Sequence, residues 1–276
     1  MLTLSVLMEN SAAEGFACEH GLSFLLDSGD TVILFDTGES GAFLDNAAKM
    51  GRDLGAVTHV VLSHGHFDHT NGLGLALRHI REKKDGAALP PVVAHPEVLA
   101  HRRRPPNHPA GDKYLGMPDD ARSELAEWPT IFSKAPVKLR DDIVYLGEIP
   151  HKHPELCALV GVTDGDGGHE KDMIPDDSAL AYTTNKGLVI VAGCSHSGIV
   201  NIMEHAKAVT GMNKIRAVYG GLHCKDMTPE CIEKTRIALE REGLEALYAC
   251  HCTGNALDGF PGQVRLAAGQ SKVIIE

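Results

Sequence analysis

Between Ser63 and Gly72 the chain reads Ser-His-Gly-His-Phe-Asp-His-Thr-Asn-Gly, which places three histidines and an aspartate within the six positions 64–69. Neutral imidazoles and a carboxylate are donors that zinc, manganese and iron accept, and four of them so close together can hold two ions. A His-rich surface loop is the competing reading. The flanks argue against it. The preceding run Val57-Thr58-His59-Val60-Val61-Leu62 is apolar and β-branched, as a buried strand is, while Leu73, Leu75, Leu77 and Ile80 suit a helix with one buried face. The histidines thus occupy a strand-to-helix turn. In open α/β sheets ligands gather outside the carboxyl ends of strands, where loops converge without breaking the core.

Four donors from one loop cannot enclose two ions, so other segments must supply partners. Three further apolar strands run into histidine-bearing turns. Leu188-Val189-Ile190-Val191-Ala192 leads into Gly193-Cys194-Ser195-His196-Ser197-Gly198, residues 215–219 lead into Gly220-Gly221-Leu222-His223, and Ala246-Leu247-Tyr248-Ala249 leads into Cys250-His251-Cys252-Thr253-Gly254. One such histidine would read as a structural residue. Four at equivalent topological places point to a single site.

The rest of the chain bounds the function. At 276 residues it can bury a substantial core, and it is expected to form one domain over 1–276 with no internal repeat. Hairpin strands are expected early, near 2–8, 22–27 and 31–35, followed by interleaved strands and helices, an α/β pattern. Helices are expected near 42–50, 70–83, 96–102, 120–127, 198–209, 229–242 and 256–268. Two long, Pro- and Gly-rich stretches, about 101–128 and 150–177, read as loops over the site. The net charge of −11 argues against nucleic-acid binding, which needs clustered cations. No signal peptide or membrane span is apparent, so a cytoplasmic location is expected. The seven cysteines show no disulfide or zinc-ribbon spacing and are expected to be reduced, although Cys194, Cys224, Cys250 and Cys252 lie beside strand ends. The one basic run, His101-Arg102-Arg103-Arg104, could anchor an anionic substrate group or be a solvated loop, with the loop as the default.

The His64, His66, Asp68, His69 pattern matches the His-x-His-x-Asp-His hallmark of the metallo-β-lactamase superfamily, which the chain resembles over almost its whole length. Glu19-His20-Gly21-Leu22-Ser23, Ile33-Leu34-Phe35-Asp36-Thr37-Gly38, Gly193 to Asn201, Gly220 to His223 and His251 to Gly254 look like one branch. That branch includes the dihydropterin ribofuranosylaminobenzene phosphate synthase of methanopterin biosynthesis and many metal-dependent hydrolases. The resemblance implies an αββα sandwich of two mixed sheets flanked by helices. It also implies a centre for two divalent ions, zinc first and manganese or iron as alternatives. His64 and His66 would serve the first ion, Asp68 and His69 the second, with His251 at the last histidine position.

The chain departs from the superfamily where a bridging aspartate is usual, since that strand ends in Gly193-Cys194-Ser195-His196. Either His196 is the extra ligand, the preferred assignment, or Cys194 stands at the bridging position and Asp176 or Asp177 covers the missing one. Asp36 could orient a ligand imidazole or merely cap the next helix. His95, His223 and Glu19 are candidates for supporting or substrate contacts, and the pairs His151/His153 and His101/His108 for exposed loops. Two ions roughly 3.5 to 4 Å apart can lower the pKa of a shared water and clamp a developing oxyanion, with Asp68 accepting a proton. Hydrolysis of a small ester, lactone or phosphoester is the first expectation. A transferase joining a dihydropterin to a ribofuranosylaminobenzene phosphate is the second, and a diiron redox protein a distant third. A small-molecule substrate, phosphate-bearing or pterin-like, is expected in either enzyme, and a homo-oligomer is open.

Overall fold

A computed structural model describes residues 2–165 and 168–274. Strands that are apolar at every position must be buried on both faces, and here two such sets stack. A seven-stranded sheet runs in the order Ser271–Ile274, Leu2–Met8, Ser23–Asp27, Val32–Phe35, His59–Val61, Val92–Ala94, Thr130–Phe132. A six-stranded sheet runs Ala246–Ala249, Ile215–Gly220, Gly187–Ala192, Ala179–Thr184, Ile143–Tyr145, Val137–Arg140. Both mix parallel and antiparallel pairs.

Alternate residues divide between the faces. Ile33 and Phe35 join Leu180, Tyr182, Val189 and Val191 in a core between the sheets. Val32 and Leu34 face outward onto Leu73, Ala76, Leu77 and Ile80 of the helix Leu73–Lys84. On the opposite side Leu188 and Ile190 pack against Ile199, Ile202 and Met203 of the helix Ile199–Thr210. The result is the helix, sheet, sheet, helix layering that the resemblance implies.

Local chemistry sets the helix ends. Thr228 caps the helix Pro229–Glu242 by accepting from the Cys231 N–H, and Gly243 closes it in the left-handed conformation. The helix expected near 256–268 does not form. Pro261 interrupts the segment, Gly259 and Gly262 take positive φ, and Gln263 and Ala268 make isolated bridges to Leu247 and Ala12. Near 96–102 only a short 3-10 turn, Pro96–Leu99, is present. In the two large sheets, three strands escape the sequence pattern, Thr130–Phe132, Val137–Arg140 and Ser271–Ile274, and each is a sheet edge, where no double burial leaves an apolar run.

The two long loops are more ordered than their composition suggests. Val162–Gly165 and Gly168–Lys171 form a hairpin, and Val162–Gly165 also pairs with Arg102–Arg103 in a three-stranded sheet. Arg102 is therefore not a solvated residue. It is fully buried, its Nε donating to Asp172 Oδ2 at 2.6 Å and its Nη1 to Asp176 Oδ2 at 3.1 Å. Neither is it free to bind a phosphate. Asp176 in turn accepts the Gly65 N–H at 2.7 Å, so this buried pair braces the histidine loop from behind. Removing one partner leaves buried charge uncompensated, and Arg102→Met should cost about 3 to 5 kcal/mol, read from the urea unfolding midpoint. An unchanged midpoint would show that the two aspartates do not need it.

Candidate metal centre

The strand His59–Val61 delivers the chain into the histidine loop, and His66 opens the short helix Phe67–Thr70. The loop passes so close to its neighbours that a Cβ on Gly65 would lie 2.2 Å from the Val98 carbonyl oxygen. Glycine is required there for space. The turns after the strands Gly187–Ala192, Ile215–Gly220 and Ala246–Ala249 end beside this loop and add His196, His223 and His251.

Donor atoms converge in four overlapping groups, each spanning no more than 4.8 Å: His64, His66 and His196; His64, His69 and Cys194; Cys194, His223 and Cys252; His20, Asp68 and His251. His66 Nδ1 lies 2.9 Å from His64 Nε2 and 3.1 Å from His196 Nε2. His69 Nε2 lies 3.2 Å from Cys194 Sγ, and Asp68 Oδ2 is 3.3 Å from both His20 Nε2 and His251 Nε2.

The hydrogen bonds on the far side of the rings fix which nitrogen carries the proton. The Ala158 carbonyl can only accept, so His196 Nδ1, 2.7 Å away, holds a proton and Nε2 presents a lone pair. Asp36 Oδ2 lies 2.7 Å from His69 Nδ1 and also accepts from Ser63 Oγ at 2.7 Å. With its proton committed to Asp36, Ser63 Oγ accepts from His64 Nδ1 at 2.9 Å, which turns the His64 Nε2 lone pair toward the cluster. Asn10 Oδ1 does the same for His251 at 2.9 Å.

Lone pairs facing one another at such distances cannot all be satisfied by shared protons. Among the described residues His66 Nε2 is buried without a hydrogen-bond partner, and His251 Nε2 faces only the Asp68 carboxylate at 3.3 Å. Burial and the neighbouring rings push His64 and His196 well below the usual imidazole range and His66 down to about 3, so these rings are neutral donors. His69 behaves oppositely. Burial favours its neutral form, but Asp36 and Asp68 hold it up to about 9, so the space between those carboxylates favours positive charge. For Asp68 burial opposes ionisation, yet His69 and His251 keep the carboxyl well below its usual range. Neutral imidazoles, an ionised carboxylate and thiols directed at common points form a donor set that fits divalent cations.

Other candidates are placed elsewhere. His95 is buried, but its Nε2 faces Glu148 at 3.1 Å and its Nδ1 accepts from the Glu97 N–H. Glu19 accepts from the backbone N–H groups of Glu39 and Ser40, so it clamps a turn rather than touching the donors. Asp177 accepts from the Ser197 N–H at 2.8 Å, and neither it nor Asp176 joins a donor group among the described residues. Each accepts a backbone N–H of a histidine-bearing turn, Asp176 that of Gly65 and Asp177 that of Ser197. Asp36 does not cap the next helix, Ala42–Lys49, whose N-cap residue is Gly41 with no side-chain cap. The roles of His20, Asn10 and Ser63 are not legible in the sequence, whereas Cys194 and Cys252 are two of the four strand-end cysteines read as able to approach the metals. His20 lay inside a recognised segment without an assigned role, whereas nothing local distinguishes Asn10.

A cavity of about 300 Å³ opens onto the donors, lined by His66, Asp68, His196 and His251 and also by Arg104, Lys113 and Lys225. With the geometry in place, comparison with known proteins decides the family. Residues 17–171 match the metallo-beta-lactamase superfamily. The chain belongs to that superfamily. It is 32% identical over 250 residues to the 7,8-dihydropterin-6-methyl-4-(beta-D-ribofuranosyl)-aminobenzene-5'-phosphate synthase of Methanocaldococcus jannaschii, covering 87% of this chain and 82% of that protein. Among solved structures, a metal-dependent hydrolase of the β-lactamase superfamily superposes with a TM-score of 0.83 at 30% identity over all of both chains. A diphosphatase of the PhnP family, 14% identical over 98% of this chain and 96% of its own, shares the fold with a TM-score of 0.55.

Two outcomes test the donor set. Asp36→Asn cannot accept from both Ser63 and His69 as the carboxylate does, and should weaken metal binding by about 10- to 100-fold in a chelator competition titration. His69→Ala and His251→Ala should each lower bound metal measured by elemental analysis. Full stoichiometry in both would contradict their assignment as ligands.

Proposed function

We propose that the chain is a metal-dependent enzyme acting on a small, phosphate-bearing substrate, with hydrolysis of a phosphoester or related ester as its reaction. The observation that carries this reading is one cavity shared by the buried donors and three cations. Arg104, Lys113 and Lys225 line it, and among the described residues none of them lies within ion-pair distance of a carboxylate. In a chain of net charge −11 such a group is best explained by an anionic ligand.

Divalent ions held by these donors would supply Lewis acidity and a water nucleophile near neutral pH. The protein's own groups do the rest. Asp68, ionised and buried beside His251 and His20, is placed to accept a proton from the nucleophile. Lys113 stands over the Phe67 ring at 3.6 Å, which holds its ammonium beside the donors, and Arg104 is fixed by the Ala110 carbonyl at 2.8 Å. These cations would orient the anionic group while the donors face the reacting bond.

A second reading is favoured by the similarity to the synthase: condensation of a dihydropterin with a ribofuranosylaminobenzene phosphate, using the same anion contacts. Metal-loaded protein offered phosphoesters and lactones, and separately that substrate pair, separates the two. Ester turnover supports the first reading, and condensation without ester turnover supports the second. In either case Lys113→Ala or Arg104→Ala should raise KM about tenfold, worth about 1.4 kcal/mol, with kcat little changed. A KM insensitive to both substitutions and to salt would contradict an anionic substrate.

A further inference from the structure

Two buried thiols and an imidazole meet where three neighbouring parallel strands end. Gly187–Ala192, Ile215–Gly220 and Ala246–Ala249 are paired in parallel, Val191 opposite Tyr219 and Gly220 opposite Ala249. Beyond the strands the turns stay in register, the Gly221 N–H donating to the Gly193 carbonyl at 2.8 Å and the Cys250 N–H to that of Gly220 at 3.1 Å. This brings Cys194, His223 and Cys252 to one point, with donor atoms within 4.8 Å of one another and all three side chains buried.

The placement of Cys252 is specified rather than incidental. Its Sγ accepts the His223 N–H at 3.2 Å, and His223 holds a left-handed conformation, φ +46°, rare for a residue with a Cβ. A Cβ on Gly221 would stand 2.6 Å from the same sulfur, so the backbone there leaves room for nothing larger than glycine. Buried cysteines commonly serve as small apolar side chains, and two neighbours do so. Cys224 packs in the core under the helices, its Sγ directed to the Leu222 carbonyl, and Cys250 packs between the sheets. Cys194 and Cys252, by contrast, line the substrate cavity together with His223.

We propose that Cys194, His223 and Cys252 form a thiolate-rich site for one thiophilic divalent cation, zinc in first place. The metal centre then has a soft end at these residues and an all-imidazole end at His64, His66 and His196. The proposal rests on the reading of this cluster as a metal centre. Binding would release the two S–H protons to solvent, and the thiolates supply negative charge that the imidazole group lacks. Two sulfurs and one nitrogen leave one position of a tetrahedral ion for a ligand from the cavity. Sulfur donors also discriminate against magnesium and manganese, which prefer oxygen. Cys194 belongs to the His64 and His69 group as well, so it is the residue through which the two ends are linked.

The test is anaerobic cobalt(II) titration of chelator-stripped, reduced protein. Wild type should develop the visible bands of tetrahedral cobalt and, with them, a near-ultraviolet thiolate-to-cobalt band. Cys252→Ser and Cys194→Ser should each remove about half of the thiolate band, since each deletes one of two sulfur donors. The exposed Cys18→Ser should leave it intact, and circular dichroism of each variant checks folding. His223→Asn, which keeps both thiols, should shift the visible bands without abolishing the thiolate band. Visible cobalt bands with no thiolate band would overturn the soft site while leaving the imidazole site standing. A thiolate band unaffected by either serine substitution would overturn it too, and protein that binds no cobalt would overturn the metal-centre reading itself.

Discussion

The carboxylate of Asp36 is the constraint on which the arrangement of donors depends. It stands at the end of the strand Val32–Phe35 with a positive φ of 57°, and it accepts the Ser63 N–H, the Ser63 hydroxyl and the His69 ring proton, each at 2.7 Å. Two of these bonds commit the protons of two imidazoles, His69 directly and His64 through the Ser63 hydroxyl, and so direct both Nε2 atoms inward. They also tie the ends of two adjacent parallel strands together. One carboxylate thus receives a backbone amide, a hydroxyl and a ring N–H, and through them it orients two imidazoles of the donor cluster.

Around that anchor the sandwich does geometric work. The histidine loop leaves one sheet, while the turns carrying His196, His223 and His251 leave the other, and the core between the sheets sets their separation. Behind the loop, Asp176, itself held by Arg102, accepts the Gly65 amide, and Asp177 accepts that of Ser197. The acidic residues that flank the cluster in sequence thus serve mainly to fix backbone. What remains open is the cavity, where cations, thiols and imidazoles meet.

Much of this was legible from residue order because the signals were local. A run such as Leu188 to Ala192 announces a doubly buried strand, and a histidine two to four residues later announces a turn at its end. Edge strands such as Thr130–Phe132 gave no such signal because they are exposed. The helix expected near 256–268 failed because apolar spacing at Leu257, Phe260 and Leu266 is satisfied equally by turns laid over the sheet edge once Pro261 and two positive-φ glycines interrupt the backbone. A basic run is usually solvated, but the pairing of 102–103 with a hairpin sixty residues away, together with Asp172 and Asp176, buries Arg102, which no local signal reveals.

By itself the sequence determined the layered α/β architecture, the family and the identity of the histidine loop, since each rests on residues close together in the chain. Tertiary structure alone decided which donors face one another, because those distances depend on register between strands that are far apart in sequence. It placed His20 against Asp68, Asn10 behind His251 and Cys252 beside Cys194, and it moved His95 and Glu19 away from the donors. A side chain's type states what it can bind; the strand ends decide with which partners it does so.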